Sequence, residues 1–427
     1  MTDRPARRER PPRIALLGTF DVDNYGDHLF PRVAIQELTR RLPHATVAAY
    51  SPFGHDHPTP LDGPVAVEPL GPWSTERVAA LAAAHDAVVI GGGEIVHLND
   101  PLLAPVYGVA AGEMNRRAPS RFFVEGLGPA GELSTPTMWH AVGVPFAFDE
   151  LCAARVRRAL ETKAYVAVRD PFSRQRLVDA GVEREIAVVP DSALLLPRVH
   201  AAADLAVERD RLRAMGRYPR SGRGALVVQG CDLLVPLARE MANAIRESIS
   251  RHPDLVPVLA ATGRARGDAT FADALGAHLG RRVFRLPRDS TVEQLAAALS
   301  GAAAFVGSSL HGAITAHAYG RPFVLVNAAG EAKLDGFAAV VGARARVVDD
   351  PALVPGALDR ALTFAEQQLR PVHTLATEID AHFDRMAELA AAAATSASAA
   401  WVSRRSPRVA QSFRELQVAS SWWGRRR

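Results

Sequence analysis

The densest chemistry in the 427-residue chain lies in Phe305-Val306-Gly307-Ser308-Ser309-Leu310-His311-Gly312-Ala313-Ile314-Thr315. An imidazole titrates near neutral pH, so His311 can give or take a proton under working conditions. Ser308 and Ser309 stand where backbone N–H groups and a helix dipole favour an anion. The local alternative is that Ser308 caps the helix and His311 packs in its first turn. A second cluster, Asn24-Tyr25-Gly26-Asp27, follows a short apolar run. Taken singly, Asp27 reads as a helix N-cap and Asn24 and Gly26 as turn residues. Gly91-Gly92-Gly93-Glu94 follows another apolar run, and glycines there let a ligand or another backbone come close. Arg169 follows Tyr165-Val166-Ala167-Val168 and suits a carboxylate or phosphate, with a salt bridge to Asp170 or a neighbour as the competing reading.

Each cluster needs a strand to end and a helix to begin beside it. Ala303 to Gly307 reads as a buried strand, Ala313 to Tyr319 as a helix closed by Gly320, and Pro322 to Val326 as the next strand. Upstream, Ile14 to Gly18 is a strand, a polar turn runs through Asp27, and Leu29 to Leu42 carries helical apolar spacing. The loop lacks G-x-G-x-x-G, so no dinucleotide site is indicated. Val47 to Tyr50 and Asp86 to Ile90 read as strands around a helix from Trp73 to His85. Phe122-Phe123-Val124 before Glu125-Gly126 reads as a further strand with a glycine turn. Tyr165–Val168 and Ile186–Val189 flank a helix over Pro171–Ala180.

The same rhythm restarts with strands at 225–229, 256–260 and 282–286 and helices at 235–251, 271–279 and 292–299. Lys333 and Phe337 fall in a glycine-punctuated segment before a last strand at 345–348. Two alternating runs imply an α/β protein of two Rossmann-like domains facing across a cleft lined by strand carboxyl ends. The division expected is a basic, disordered 1–13, a first domain over 14–199, a linker over 200–224 and a second domain over 225–350. Helices over 351–394 then pack across the domains, and 395–427 form an Ala/Ser/Arg-rich tail expected to be unstructured. Trp422-Trp423 before three arginines suits an anionic membrane surface, although an unstructured end is the preferred reading.

The hydrophobic fraction is 48%, the charged fraction 22% and the net charge +4, an ordinary soluble balance with part of the basic excess at the two ends. No nucleic-acid-binding signature accompanies the basic pI, so no nucleic-acid partner is expected. Cys152 and Cys231 have neither metal spacing nor disulfide density, which suits a reducing cytoplasm. Ser51 to Leu61 reads as a Pro/His-rich surface loop; His55, Asp56 and His57 in it have no distant partner and are read as solvated, so metal independence is expected. No run reaches transmembrane length.

The ordered set Asn24-Tyr25-Gly26-Asp27, Gly91-Gly92-Gly93, Val168-Arg169-Asp170, Pro190-Asp191-Ser192, Ser308-Ser309-Leu310-His311-Gly312 and Lys333 with Phe337 resembles the polysaccharide pyruvyl transferase family. The resemblance spans Ile14 to Phe337 and implies a GT-B-like fold. It implies transfer of the enolpyruvyl part of phosphoenolpyruvate onto sugar hydroxyls of a cell-surface polysaccharide or its lipid-linked precursor, as a pyruvate ketal. Phosphoenolpyruvate is then donor substrate, with no further cofactor.

By that resemblance His311 protonates the enol methylene carbon, Arg169 holds the phosphate or carboxylate, and Lys333 adds positive charge. Asn24 and Asp27 line the cleft, with Asp27 a base or sugar ligand. Gly26, Gly92, Gly93, Ser308, Ser309 and Leu310 complete the substrate-binding set. Some members carry arginine where this chain has Ser309, which removes one positive charge; Arg264, Arg266 and Arg321 are candidates to replace it. Asp191-Ser192 departs from the more usual Asp-Pro. The alternatives are a glycosyltransferase using a nucleotide sugar and a glycan-binding relative without chemistry.

Overall fold

The computed structural model describes residues 10–56, 65–127, 135–280, 283–363 and 369–403. Two all-parallel sheets organise it. The first contains β1 (Arg13–Leu17), β2 (Thr46–Ser51), β3 (Val67–Pro69), β4 (Ala87–Gly91), β5 (Thr137–Val142), β6 (Tyr165–Val168) and β7 (Ala187–Val188), in the order β3-β2-β1-β4-β5-β6-β7. The second contains β8 (Gly224–Val228), β9 (Leu255–Leu259), β10 (Phe284–Arg285), β11 (Ala304–Gly307), β12 (Phe323–Val326) and β13 (Val347–Val348), in the order β10-β9-β8-β11-β12-β13. Both are doubly wound, and each reverses direction beside its first strand, at β1/β4 and β8/β11. Ligands of open α/β sheets bind beyond the strand ends at such points.

The central strands are apolar on both faces because helices cover both faces. Ala87-Val88-Val89-Ile90 and Phe323-Val324-Leu325 are fully buried. One continuous cluster joins Leu29 and Val33 of the first domain to Leu295, Phe305 and Ile314 of the second, so the domains share apolar packing. Burial of this kind contributes roughly 25 cal/mol per Å² of apolar surface.

Several sequence readings are corrected. Phe122-Phe123-Val124 lies in a helix, Pro119–Glu125, with proline in its first turn; a three-residue apolar run does not by itself distinguish strand from buried helix. The true fifth strand is Thr137–Val142. Within 200–224, Ala202–Ala214 is a helix packed on the helix Val292–Ser300, so this segment is part of the second domain's covering and no free linker. Lys333 and Phe337 lie on a helix, Ala332–Val341. Arg10 and Arg13, placed in the disordered terminus, both pair with Asp86, and Arg13 opens β1. Ser51 to Gly54, assigned to a surface loop, are buried: Ser51 Oγ accepts from the Phe20 N–H, and Asp21 accepts from the N–H groups of Phe53 and Gly54.

The helix Val354–Thr363 covers the second sheet, whereas Val372–Ser403 returns to the first domain, where Asp380 meets Arg41 at 2.8 Å. That helix runs through Thr395 to Ser403, into the stretch read as unstructured. The rest of that tail, including Trp422-Trp423, and His57 lie outside the described residues. Among the described residues no helix is long and apolar enough to cross a membrane.

Candidate active site

The turn after β1 leads into the first helix, Tyr25–Arg41, which begins four residues earlier than its apolar spacing predicts. Asn24 occupies the N-cap position, but its side chain does not cap. Its Nδ2 donates to Asp27 Oδ2 at 2.6 Å, while Thr19 Oγ1 donates to Asp27 Oδ1 at 2.6 Å. Asp27 is therefore a helical residue held by two neutral donors rather than the cap itself. At Gly26, one position along, an added Cβ would lie 2.0 Å from His311 Nδ1. Only the missing side chain lets the imidazole of the second domain seat against this helix. Phe30, one turn on, meets the same ring edge-on at 5.1 Å.

Gly92 (φ 91°) and Gly93 (φ 76°) turn the chain in the left-handed region after β4. A Cβ on Gly93 would sit 3.6 Å from Asp27 Oδ1. The turn delivers Glu94, whose carboxylate lies 3.3 Å from Arg169 Nη2 and 3.6 Å from Lys333 Nζ of the other domain. Burial pushes the Glu94 carboxyl up, but Arg169, Lys333 and Arg266 together outweigh it and hold it below the usual range.

Arg169 directly follows β6 and is buried. Its guanidinium lies flat on Gly143, where a Cβ would come within 2.9 Å of Cζ. Nε is 3.6 Å from Asp170 Oδ2, so the salt-bridge reading holds in geometry. Nε and Nη2 are nonetheless sealed from water without a hydrogen bond, an unmet capacity of the kind an oxyanion satisfies.

Helix Leu310–Ala318 starts right after β11, so His311 stands in its first turn rather than ahead of it. Ser309 is the cap, accepting from the Gly312 N–H at 3.1 Å; Ser308, the cap in the local alternative, instead has a buried hydroxyl without a partner. His311 is 9% exposed, and its Nε2 is 3.6 Å from Asp191 Oδ2, beyond hydrogen-bond length but within ion-pair range. The other Asp191 oxygen accepts from the Ala193 N–H at 2.9 Å. Burial pushes the Asp191 carboxyl up, and His311, Arg169 and the Ala193 N–H more than reverse that, keeping it ionised.

Between the domains lies a pocket of about 230 Å³, part of it open to solvent; Arg169, Asp191 and Lys333 line it, whereas His311, Ser308, Ser309 and Glu94 do not. Its charged lining is Arg169, Asp170, Asp191 and Lys333, and its apolar lining Leu310, Ile314, Phe337 and Val340. Asn24, Asp27, Gly92 and Gly93 do not line it; they gather at the Gly26 side of His311. Of the arginines considered in place of the residue at 309, Arg264 pairs with Asp23 at 2.5 Å and Arg321 donates to the Ser300 carbonyl, whereas Arg266 acts on Glu94.

Sequence reasoning did not select Glu94 or Asp191 as site residues, nor the groups behind Asp191. There Ser192 Oγ meets His140 Nε2 at 3.1 Å, His140 Nδ1 meets His382 Nε2 at 2.7 Å, and His382 Nδ1 meets Tyr165 OH at 3.0 Å. Burial lowers His140 to about 4 and His382 well below its ordinary value, so both rings are neutral and each passes one N–H along the row. Ser192 is fully buried and does not line the pocket, so the row braces the Asp191 turn. The Pro190-Asp191-Ser192 motif at a strand end was the available signal; His382, on a helix 190 residues later, left none. Among the described residues no group of three His, Cys, Asp or Glu side chains is arranged to hold a metal, and His55 and Asp56 are exposed.

The family model described as polysaccharide pyruvyl transferase matches residues 24–328. No curated protein matches the sequence. Among solved structures, the UDP-GlcNAc 2-epimerase of Neisseria meningitidis bound to UDP-GlcNAc is similar at 10% identity and a TM-score of 0.52, covering 88% of this chain and 99% of its own. A putative UDP-N-acetylglucosamine 2-epimerase of Listeria monocytogenes gives 10% identity and 0.52, covering 88% and 98%. The wall teichoic acid polymerase TagF gives 13% and 0.50, covering 91% and 89%. At these identities the likeness is one of fold, the GT-B-type pairing of two Rossmann-like domains.

Proposed function

Because the chain belongs to the polysaccharide pyruvyl transferase family, a family of transferases that modify polysaccharides, we propose that its donor is phosphoenolpyruvate and its product a pyruvate ketal on a sugar. The supporting observation is that Arg169 of the first domain and the helix bearing His311 in the second flank one pocket, with Asp191 between them. Arg169 and Lys333 take the phosphate and carboxylate, displacing Glu94 as counter-charge. The methylene end of the donor rests toward Leu310 and Ile314.

Protonation of that carbon by His311 leaves C2 electron-poor, and a sugar hydroxyl adds there, its proton passing to Asp27 or to water. Phosphate then departs with the C–O electron pair, and a second hydroxyl adds to close the ketal, its proton passing to the now neutral His311 or to water. Asp191 balances the imidazolium charge before the proton leaves. A positioned proton donor of this kind contributes on the order of 10² to 10⁴ in rate. The Gly26 side of His311, with Asn24 and Asp27, receives the acceptor. No cofactor enters this scheme.

The test is incubation with phosphoenolpyruvate and a panel of glycans, following phosphate. Release that requires acceptor supports the reading. Consumption of a nucleotide sugar, with phosphoenolpyruvate untouched, replaces it with glycosyl transfer.

A further inference from the structure

One carboxylate oxygen outside the site collects an unusual number of donors. Asp268 Oδ2 accepts from the Thr262 N–H at 2.8 Å, Thr262 Oγ1 at 3.0 Å, the Gly263 N–H at 2.9 Å and Gln229 Nε2 at 2.8 Å. Asp268 is 1% exposed and opens the helix Asp268–Leu279. Each group it holds reaches further. Gln229, just past β8, turns its Oε1 to the Ser308 N–H at 3.1 Å, at the foot of the His311 helix. Thr262 O accepts from the Tyr25 N–H of the first domain at 2.7 Å, and Gly263 forms an isolated bridge with Asn24. Tyr25 and Asn24 flank the turn that carries Gly26 against His311 and Asp27 toward Asn24. Tyr25 OH also meets Thr315 Oγ1 at 3.0 Å, a second tie from that turn to the His311 helix.

We propose that Asp268 and Gln229 are positioning residues that set the His311 turn and the Asn24–Asp27 turn of the opposite domain in one register. The local alternative is that Asp268 merely closes its own 262–268 loop. That alternative leaves Gln229 unexplained: a buried amide whose nitrogen serves Asp268 and whose oxygen serves Ser308 is an obligate link between the two. The geometry of Gly307 agrees, since a Cβ there would lie 2.8 Å from Gln229 Oε1 and 2.6 Å from its carbonyl oxygen, so the link passes where only glycine fits. The inference rests on reading His311 as the acid of the active site, but the coupling itself is a property of the fold.

Amide hydrogen exchange followed by mass spectrometry tests it across sites that the altered residue does not touch. Asp268→Ala is expected to speed exchange at Ser308–Gly312 about tenfold, and Gln229→Leu to do so at Asn24–Asp27, with Asp268→Asn close to the unaltered protein because its amide oxygen still accepts. Should Asp268→Ala fail to fold, Gln229→Leu read at Asn24–Asp27 carries the test alone. In turnover with phosphoenolpyruvate and an active acceptor, Gln229→Leu lowers kcat about tenfold and leaves KM for the donor within about twofold. Exchange confined to each variant's own loop overturns the coupling. Absence of turnover in the unaltered protein counts against the donor, and the exchange result stands apart from it.

Discussion

The carboxylate of Asp191 stands 3.6 Å from His311 Nε2, and the two residues come from opposite domains. Neither atom has a hydrogen bond in this arrangement. Asp191 is held ionised there by His311, Arg169 and the Ala193 N–H, so a full negative charge faces the ring. Asp191→Asn keeps the volume and removes the charge. We expect kcat to fall about 10- to 100-fold with unchanged circular dichroism; full activity would leave Asp191 a structural residue only.

Glu94 and Arg169 give opposite expectations for one parameter. Arg169→Lys keeps the charge but loses the planar fork, and KM for phosphoenolpyruvate is expected to rise about tenfold or more. Glu94→Gln removes one of the carboxylates that face Arg169 and Lys333, beside Asp170 and Glu331, so the donor has one charge fewer to displace, and KM is expected to fall a few-fold. Both are read from steady-state kinetics at fixed ionic strength. A rise in KM for Glu94→Gln would mean that Glu94 positions Arg169 rather than competing with the donor.

Gly26→Ala separates fold from function. In an exposed helix the change stabilises by roughly 0.5–1 kcal/mol. Here the added methyl would meet His311 Nδ1 at 2.0 Å, so the imidazole must leave its seat. We expect a thermal midpoint within a few degrees of the parent and a loss of turnover of at least about 100-fold. Unchanged turnover would mean that His311 works from another position.

Much of this architecture was legible in the sequence, for a physical reason. Strands buried on both faces must be continuous apolar runs, so Ile14–Leu17, Ala87–Ile90 and Phe305–Val306 announce themselves. The residues that follow each run fall at strand carboxyl ends, which brings Gly26, Arg169 and His311 together in space. Phe122-Phe123-Val124 misled because burial makes a short helix look like a strand. Asp191, Gln229 and His382 were not legible as partners, because contact between distant segments leaves no periodicity. The local alternative put Asp27 and Ser308 at caps because Asp and Ser favour that place; Asn24 and Ser309 occupy it, and tertiary contacts decide.

The brace behind Asp191 carries a pH expectation. His140 is lowered to about 4 by burial, against 6.5 unfolded. The unfolded chain therefore binds the proton first. The stabilisation is complete above about pH 6.5 and is lost as pH falls toward 4, on the order of 3 kcal/mol for this ring. An NMR titration should find the His140 ring neutral down to about pH 4, with urea midpoints falling across the same window. A ring that titrates near 6.5 in the folded protein would contradict the buried Ser192–His140–His382 arrangement.

The most direct measurement follows phosphate released from phosphoenolpyruvate in the presence of glycan acceptors, for the unaltered protein and for His311→Ala. The expected result is acceptor-dependent release by the first and a loss of at least about 100-fold in the second, with the fold and donor binding retained. Undiminished release by His311→Ala would contradict the assignment of the proton to His311.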